Sequence, residues 1–343
     1  MRRSTELRRP TRRSAMLMAL ATAAASSPAT GQSRSISIGY QDQPDWLMFV
    51  ARDQKLFEKL GLSTNFVKFP GGTPMIEAAR DGVIDVASVG AIALLLGISR
   101  GLDWEVIGVN PEGAYSQGLL ARKDADIHRP ADLRGKRVGV FKGSTAQFGL
   151  LMLMRQHGLQ RHSVTTVFLT PEEQVAALKD SKIDAAMVWE PWMQRMIHGV
   201  GARLITTEGD LGVHTNVDGY TVRRSWLQAN RPTAVRFITA LLMAHDAIRK
   251  DPSIAVRGWA ADMAIKKSWA ETVYENVPPP LIREWTNPRY SFALVKDSAL
   301  YRSLNYLAEF MLEEKLISAP VETDDVLDAS VVTEALRTYR PGR

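Results

Sequence analysis

Residues 144–147, Ser-Thr-Ala-Gln, put two hydroxyls and a carboxamide at the start of a helix-forming run, directly after Lys142-Gly143. Upstream, Val138-Gly139-Val140-Phe141 is continuously apolar, as in a strand buried on both faces. Gly143 frees the backbone for a tight turn, and Ser144 and Thr145 are N-cap types whose oxygens accept from orphan helix amides. Such a strand–glycine–helix junction aims N–H groups and the positive end of a helix dipole at one point, which suits an anion. Gln147 belongs to the same first turn. A second junction is Ser88-Val89-Gly90, whose amides and hydroxyl suit a ligand oxygen. Gln41 follows the first strand and offers both a donor and an acceptor. Trp46 opens the first helix and could wall an apolar part of a ligand or pack beneath the loop. Asn110 ends a strand before Pro111 and either faces the same space or serves the turn. In Trp189-Glu190-Pro191-Trp192 the rings suit a site or a core. Glu190 would repel a purely anionic ligand, so it fits a ligand amine or a contact between lobes. Asp218 and Tyr220 are similar candidates on a later strand. The six histidines, at 128, 157, 162, 198, 214 and 245, show no metal spacing, and GxSxG, HExxH and P-loop patterns are absent. No catalytic residue, metal site or cofactor is therefore expected.

The elements that must position these groups occur twice. Strands over 35–40 and 64–69, a Pro-led helix over 74–80 and a strand over 83–90 make the first unit. Strands over 137–141 and 164–169, a Pro-led helix over 171–179 and a strand over 183–189 make the second. Ile84-Asp85-Val86-Ala87 lines up with Ile183-Asp184-Ala185-Ala186, each 46–47 residues after its first strand. Two α/β lobes with mostly parallel sheets follow from this order. Beyond Pro232 the pattern is largely helical and is expected to pack back on the first lobe. The connections near Leu119 and Tyr220 then form a two-strand hinge. The division expected is 33–118 plus 223–343 for lobe 1 and 119–222 for lobe 2.

The net charge of +6 is misleading, because six of the 43 basic and one of the 37 acidic side chains fall in residues 1–32. The rest carries 37 basic and 36 acidic groups, which argues against a nucleic-acid partner. Residues 1–32 read as a signal peptide, a basic start followed by an apolar run over 15–25 and small residues. Arg12-Arg13 gives it a twin-arginine look, with general secretion the alternative. No later segment reaches membrane-spanning length without charges, so the mature chain is expected to be soluble. There is no cysteine, which excludes disulfides, thiolate metal sites and a cysteine nucleophile.

The sequence resembles the periplasmic substrate-binding proteins of ABC importers for nitrate, sulfonates and taurine. The residues that carry the likeness are Ile38-Gly39-Tyr40-Gln41, Phe69-Pro70-Gly71-Gly72, Ile84-Asp85-Val86-Ala87, residues 131–138, Lys142-Gly143-Ser144 and Val188-Trp189-Glu190-Pro191. The resemblance implies the α/β, bilobed type II periplasmic binding fold, two doubly wound lobes that close on a ligand without catalysis. It implies a periplasmic monomer that passes a small organic anion to an ABC permease in the inner membrane. Trp189 resembles the family's strand-end tryptophan near the ligand. The family often has a hydroxyl or Asp just after Gly90, and Ala91-Ile92 here point to a more apolar ligand. Alternatives are a pyrimidine-precursor binding protein or an enzyme on the same bilobed fold, and a sensory subunit docked on a membrane receptor.

Overall fold

The computed structural model describes residues 34–111, 115–210 and 217–340. The expected signal peptide lies outside them. The described strands are β1 (Arg34–Tyr40), β2 (Leu62–Lys68), β3 (Val86–Gly90), β4 (Trp104–Pro111), β5 (Gln117–Ala121), β6 (Arg137–Val140), β7 (Thr165–Phe168), β8 (Ala185–Trp189), β9 (Arg203–Thr207) and β10 (Val217–Arg223). They form two five-stranded sheets, ordered β2-β1-β3-β10-β4 and β7-β6-β8-β5-β9. The first three positions of each sheet are parallel, and the fourth strand runs antiparallel to both its neighbours. The two orders are the same pattern. The antiparallel fourth strand of each sheet, β10 or β5, follows directly on a strand of the other sheet, β9 or β4. Thus β10, inside the span 119–222 expected for the second lobe, is hydrogen-bonded into the first sheet.

The repeat read from the sequence has a physical basis. Asp85 accepts from the Ser37 amide at 2.9 Å, and Asp184 accepts from the Arg137 amide at 2.8 Å. Each Asp also donates its own amide to the same partner's carbonyl at 2.8 Å. Each carboxylate so pins the start of its third strand to the first. Arg137 further ties Asp184 through its guanidinium and keeps that carboxyl below the ordinary range. A Cβ added at Gly39 would sit 2.7 Å from Ile84 Cδ1, and one at Gly139 2.6 Å from Ile183 Cδ1. The glycine of the first strand and the isoleucine before each Asp are one packing solution used twice.

Each sheet has its own apolar core. Residues of the helices after β10, Phe237, Ile238, Trp259, Leu304 and Phe310, share the first core with Ile36, Ile38 and Val86. The run after β10 is a single 27-residue helix, Arg224–Lys250, bent at Asn230 because Pro232 removes an internal donor. The first helix, opened by Trp46, is split into Trp46–Asp53 and Leu56–Lys59 by Lys55, which takes a left-handed φ of 54°. Among the described residues no helix is long and apolar enough to cross a membrane.

Candidate functional site

Both units end their first strand in a turn that opens a helix. In the second unit Ser144 caps the helix Thr145–Gln156, its Oγ accepting from the Gln147 amide at 3.2 Å and donating to the Phe141 carbonyl at 2.7 Å. Gly143, at φ +72°, donates its amide to Gln147 Oε1 at 2.7 Å. The Thr145 hydroxyl donates to Gln117 Oε1 at 3.0 Å, and Gln117 Nε2 donates to Glu208. Glu208 is fully buried, and burial pushes its carboxyl up to about 8. The amide turn is thus held by side chains, and the cap itself is uncharged.

In the first unit the corresponding helix, Trp46–Asp53, is capped by Asp45, whose Oδ1 accepts from the Met48 amide at 3.2 Å. Tyr220 from β10 donates its phenol to the same oxygen. Ser88 at the end of β3 donates to Asp45 Oδ2 at 2.9 Å and accepts from Gln43 Nε2 at 2.9 Å. Gln43 Oε1 in turn accepts from Gln41 Nε2 at 2.5 Å. The chain is buried from end to end and its terminal atom, Gln41 Oε1, has no partner among the described residues. Burial raises Asp45 to about 6, and burial plus the neighbouring Asp45 carboxylate raises Tyr220. Asn110 is the cross-strand partner of Asp218 in the β4–β10 ladder. Its Nδ2 donates to the Pro44 carbonyl at 3.2 Å, and its Oδ1 is buried without a partner among the described residues.

Gly90 is where the halves touch. A Cβ there would lie 3.0 Å from Thr145 Cγ2 and 3.0 Å from Asp218 Oδ1, so only glycine lets the second unit's helix start come this close. Thr73 donates its hydroxyl to the Lys142 and Gly143 carbonyls at 3.1 and 3.0 Å. Trp189 Nε1 donates to the Asp42 carbonyl at 2.8 Å, while the Asp42 carboxylate pairs with Lys68 at 2.7 Å. Beside this contact is a cavity of about 290 Å³ with Lys68, Phe69 and Pro70 on one side and Thr170, Pro171 and Trp192 on the other.

The structure brings Gln41, Ser88, Gly90, Asn110, Thr145 and Asp218 to one buried polar band between the sheets, with Ser144 and Gln147 at its helix start. The Ser88 hydroxyl is consumed by Asp45 and Gln43, not held free. Val89 is wholly buried, its β carbon 3.6 Å from where a Cβ on Gly72 would stand. Trp46 is a core residue, edge-on to Trp259 at 4.9 Å and Tyr274 at 5.2 Å, with its N–H donating to the Val277 carbonyl at 2.7 Å. Glu190 turns to Gln194, accepting from its amide at 3.2 Å and its Nε2 at 2.8 Å, and burial raises it to about 7. Four participants have no place in the sequence reading: Gln43, Asp45, Gln117 and Glu208. An Asp directly before an apolar helical run is a readable cap signal. Glu208 has none, because its partner Gln117 is 91 residues away. Among the described residues no group of three His, Cys, Asp or Glu could hold a metal ion.

The sequence model of the NMT1-like family matches residues 29–262. A Bacillus subtilis (strain 168) protein, provisionally named an aliphatic sulfonates-binding protein, is 25% identical over 315 residues, 91% of each chain. The taurine-binding periplasmic protein of Escherichia coli (strain K12) is 25% identical over 225 residues, 65% of this chain and 69% of that one. Among solved structures, the alkanesulfonate-binding protein SsuA from Xanthomonas axonopodis pv. citri, bound to MOPS, superposes with a TM-score of 0.71 at 23% identity, covering 88% of this chain and 97% of SsuA. The desulfurization enzyme DSZB shares the fold at a TM-score of 0.66 and 18% identity, over 90% of this chain and all of DSZB. The fold is therefore the bilobed periplasmic binding fold expected from the sequence, and it houses at least one enzyme.

Proposed function

Because the chain belongs to the NMT1-like family, we propose that it is the periplasmic solute-binding receptor of an ABC importer, closing two lobes on a small organic anion such as a sulfonate, taurine or nitrate-like compound. The observation that carries this reading is the close approach of the second unit's helix start at Thr145 to Gly90 and Asp218 of the first sheet, beside one buried polar band. Small-ligand sites lie at the carboxyl ends of parallel strands and between domains. The lobes of this reading are the two sheets, crossed by the chain ahead of Gln117 and ahead of Val217. The receptor acts as a monomer and delivers its ligand to an inner-membrane permease. The anion sits at the helix Thr145–Gln156, whose neutral cap leaves the positive dipole end uncompensated. Ser144, Thr145 and Gln147 are its neighbours there, with Gln41, Gly90, Asn110 and Asp218 opposite and Trp189 at the rim.

Binding without turnover is part of the proposal. Glu190 is engaged by Gln194, and the Lys142 ammonium lies 5.5 Å over the Phe168 ring. Thermal unfolding with a panel of alkanesulfonates, taurine and nitrate tests the reading. A ligand that binds only the folded state at about 100 times its Kd adds about 2.7 kcal/mol. At least one member should raise the melting temperature and be recovered chemically unchanged. No shift from any of them, or a shift accompanied by conversion, would count against the proposal.

A further inference from the structure

A cavity of about 780 Å³ lies away from the polar band, among the helices of the first core. Its long wall is the helix Arg224–Lys250, where Arg236, Thr239, Met243, Asp246 and Lys250, spaced by three and four residues, share one face. The short helix Leu56–Lys59 and Tyr339, just after the helix Ser330–Thr338, border the same groove. Leu60, Val235, Met243 and Ala247 give it an apolar floor, each half-buried against the first core. Around the floor stand Lys59, Arg236 and Lys250, all exposed, and among the described residues none of their side chains has a carboxylate or hydrogen-bond partner. The helix dipole accounts for Lys250, at a helix end, but not for Arg236, in mid-helix. The acid in the groove, Asp246, is held by the Tyr339 phenol at 2.8 Å. Arg340 beside it, bonded to backbone carbonyls, adds a further cation. Beyond residue 32 the chain is close to neutral, so unpaired cations along an apolar trough are a local excess that suits an anion with an apolar body.

The shape of the groove narrows its occupant. Arg236 and Lys250 are about 21 Å apart along the helix axis, and spread over that length the cavity is about 37 Å² in section, too narrow for a helix about 10–12 Å across. An extended peptide would lay its amides against helices whose backbone groups bond internally, leaving donors and acceptors unmatched. An alkyl chain has none to match. We infer a second binding site, separate from the cleft between the sheets, for an alkyl chain bearing an anionic phosphate or carboxylate head. The chain lies along Met243 and Ala247, and the head meets the unpaired cations. The chemistry is the same for a free amphiphile and for a lipid of an anionic bilayer. Isothermal titration of the purified chain with dodecyl phosphate, kept below micelle formation, should show one site. Butyl phosphate, which lacks the long chain, and dodecyl phosphocholine, which lacks net charge, should bind at least tenfold more weakly. Arg236→Glu with Lys250→Glu, both on exposed positions, should weaken dodecyl phosphate at least tenfold, while Ser144→Ala with Thr145→Ala should leave it unchanged. Co-sedimentation with phosphatidylcholine vesicles, with and without phosphatidylglycerol, separates the sources. Pelleting with the anionic vesicles alone, lost on charge reversal, assigns a bilayer lipid; titration without pelleting assigns a free amphiphile. Absence of both, equal affinity for the zwitterionic chain, or a loss in the Ser144 and Thr145 variant instead of the charge-reversed one overturns the inference.

Discussion

The first helix of each unit starts at the same place in the repeat, yet the two starts are built for opposite purposes. Asp45 and Ser144 are equivalent caps: each accepts from the amide three residues on, and each carbonyl takes the amide of the fourth, Phe49 or Phe148. In the first unit the cap is an acid, sealed by Tyr220 and Ser88, and its charge answers the helix dipole internally. In the second the cap is a hydroxyl, and the dipole is left for something else. The difference teaches that one joint can be closed in two ways: an acid answers the first helix dipole, and a hydroxyl leaves the second without a charged cap.

The largest expected effect is on the sealed side. Asp45→Ala removes an N-cap and strands the buried Tyr220 and Ser88 hydroxyls, so unfolding by denaturant should show a loss of about 3 kcal/mol or more. If the loss is no greater than for Ser144→Ala, the contrast between the two starts is wrong. Next comes the response to pH. Burial keeps the folded Glu208 protonated up to about 8, whereas an exposed glutamate ionises near pH ~4.3. Between those values the folded chain holds a proton the unfolded chain has lost. The resulting stability is complete below the unfolded pKa and is lost as pH rises through the folded one, at no more than about 1.4 kcal/mol per pH unit. Melting temperature should therefore fall from pH 5 to 8, and Glu208→Gln should flatten the decline. A melting temperature that rises over this range, or a Gln variant with an unchanged slope, would remove Glu208 from this role.

The shared part of the two units can be tested against the divergent part. Gly39→Ala and Gly139→Ala each press a methyl on an isoleucine, and overpacking of this kind costs about 1–3 kcal/mol. Calorimetry should find the two losses equal to within about 0.5 kcal/mol, since the packing is the same; a wide gap would mean the repeat is only superficial. The smallest stability change belongs to Ser144→Ala with Thr145→Ala, about 1 kcal/mol for the lost cap. Titration of the same variant with its best ligand should show roughly tenfold weaker binding, and unchanged affinity would move the anion elsewhere.

Much of this was legible before any coordinates. Asp85 and Asp184 carry the repeat in their spacing because the contact each makes lies within one strand–helix–strand unit, where sequence order dictates proximity. The helix start at Ser144 was readable for the same reason. Trp46 was not: whether an aromatic at a helix start walls a site or fills a core depends on Trp259 and Tyr274, more than 200 residues away. Ser88 suits a ligand by type, but the partners that consume its hydroxyl arrive from Asp45 and Gln43 in the preceding loop. Glu190 left two uses open, and its nearest partner, Gln194, lies one helical turn on. Local chemistry can be read along the chain; the occupancy of a hydrogen-bonding group depends on everything that folds around it.

The exchange of one strand between the sheets has a consequence for the order in which the molecule can be finished. Every strand of the second sheet has been made once the chain reaches Thr207, while the first sheet still lacks β10, the strand that bridges β3 to β4. A chain emerging from its amino terminus carries the earlier half as two unjoined pieces, β2-β1-β3 and β4, until residue 223 is available. The half that starts first closes last. In a chain made from its amino terminus, the second sheet can therefore be whole while the first still waits for β10.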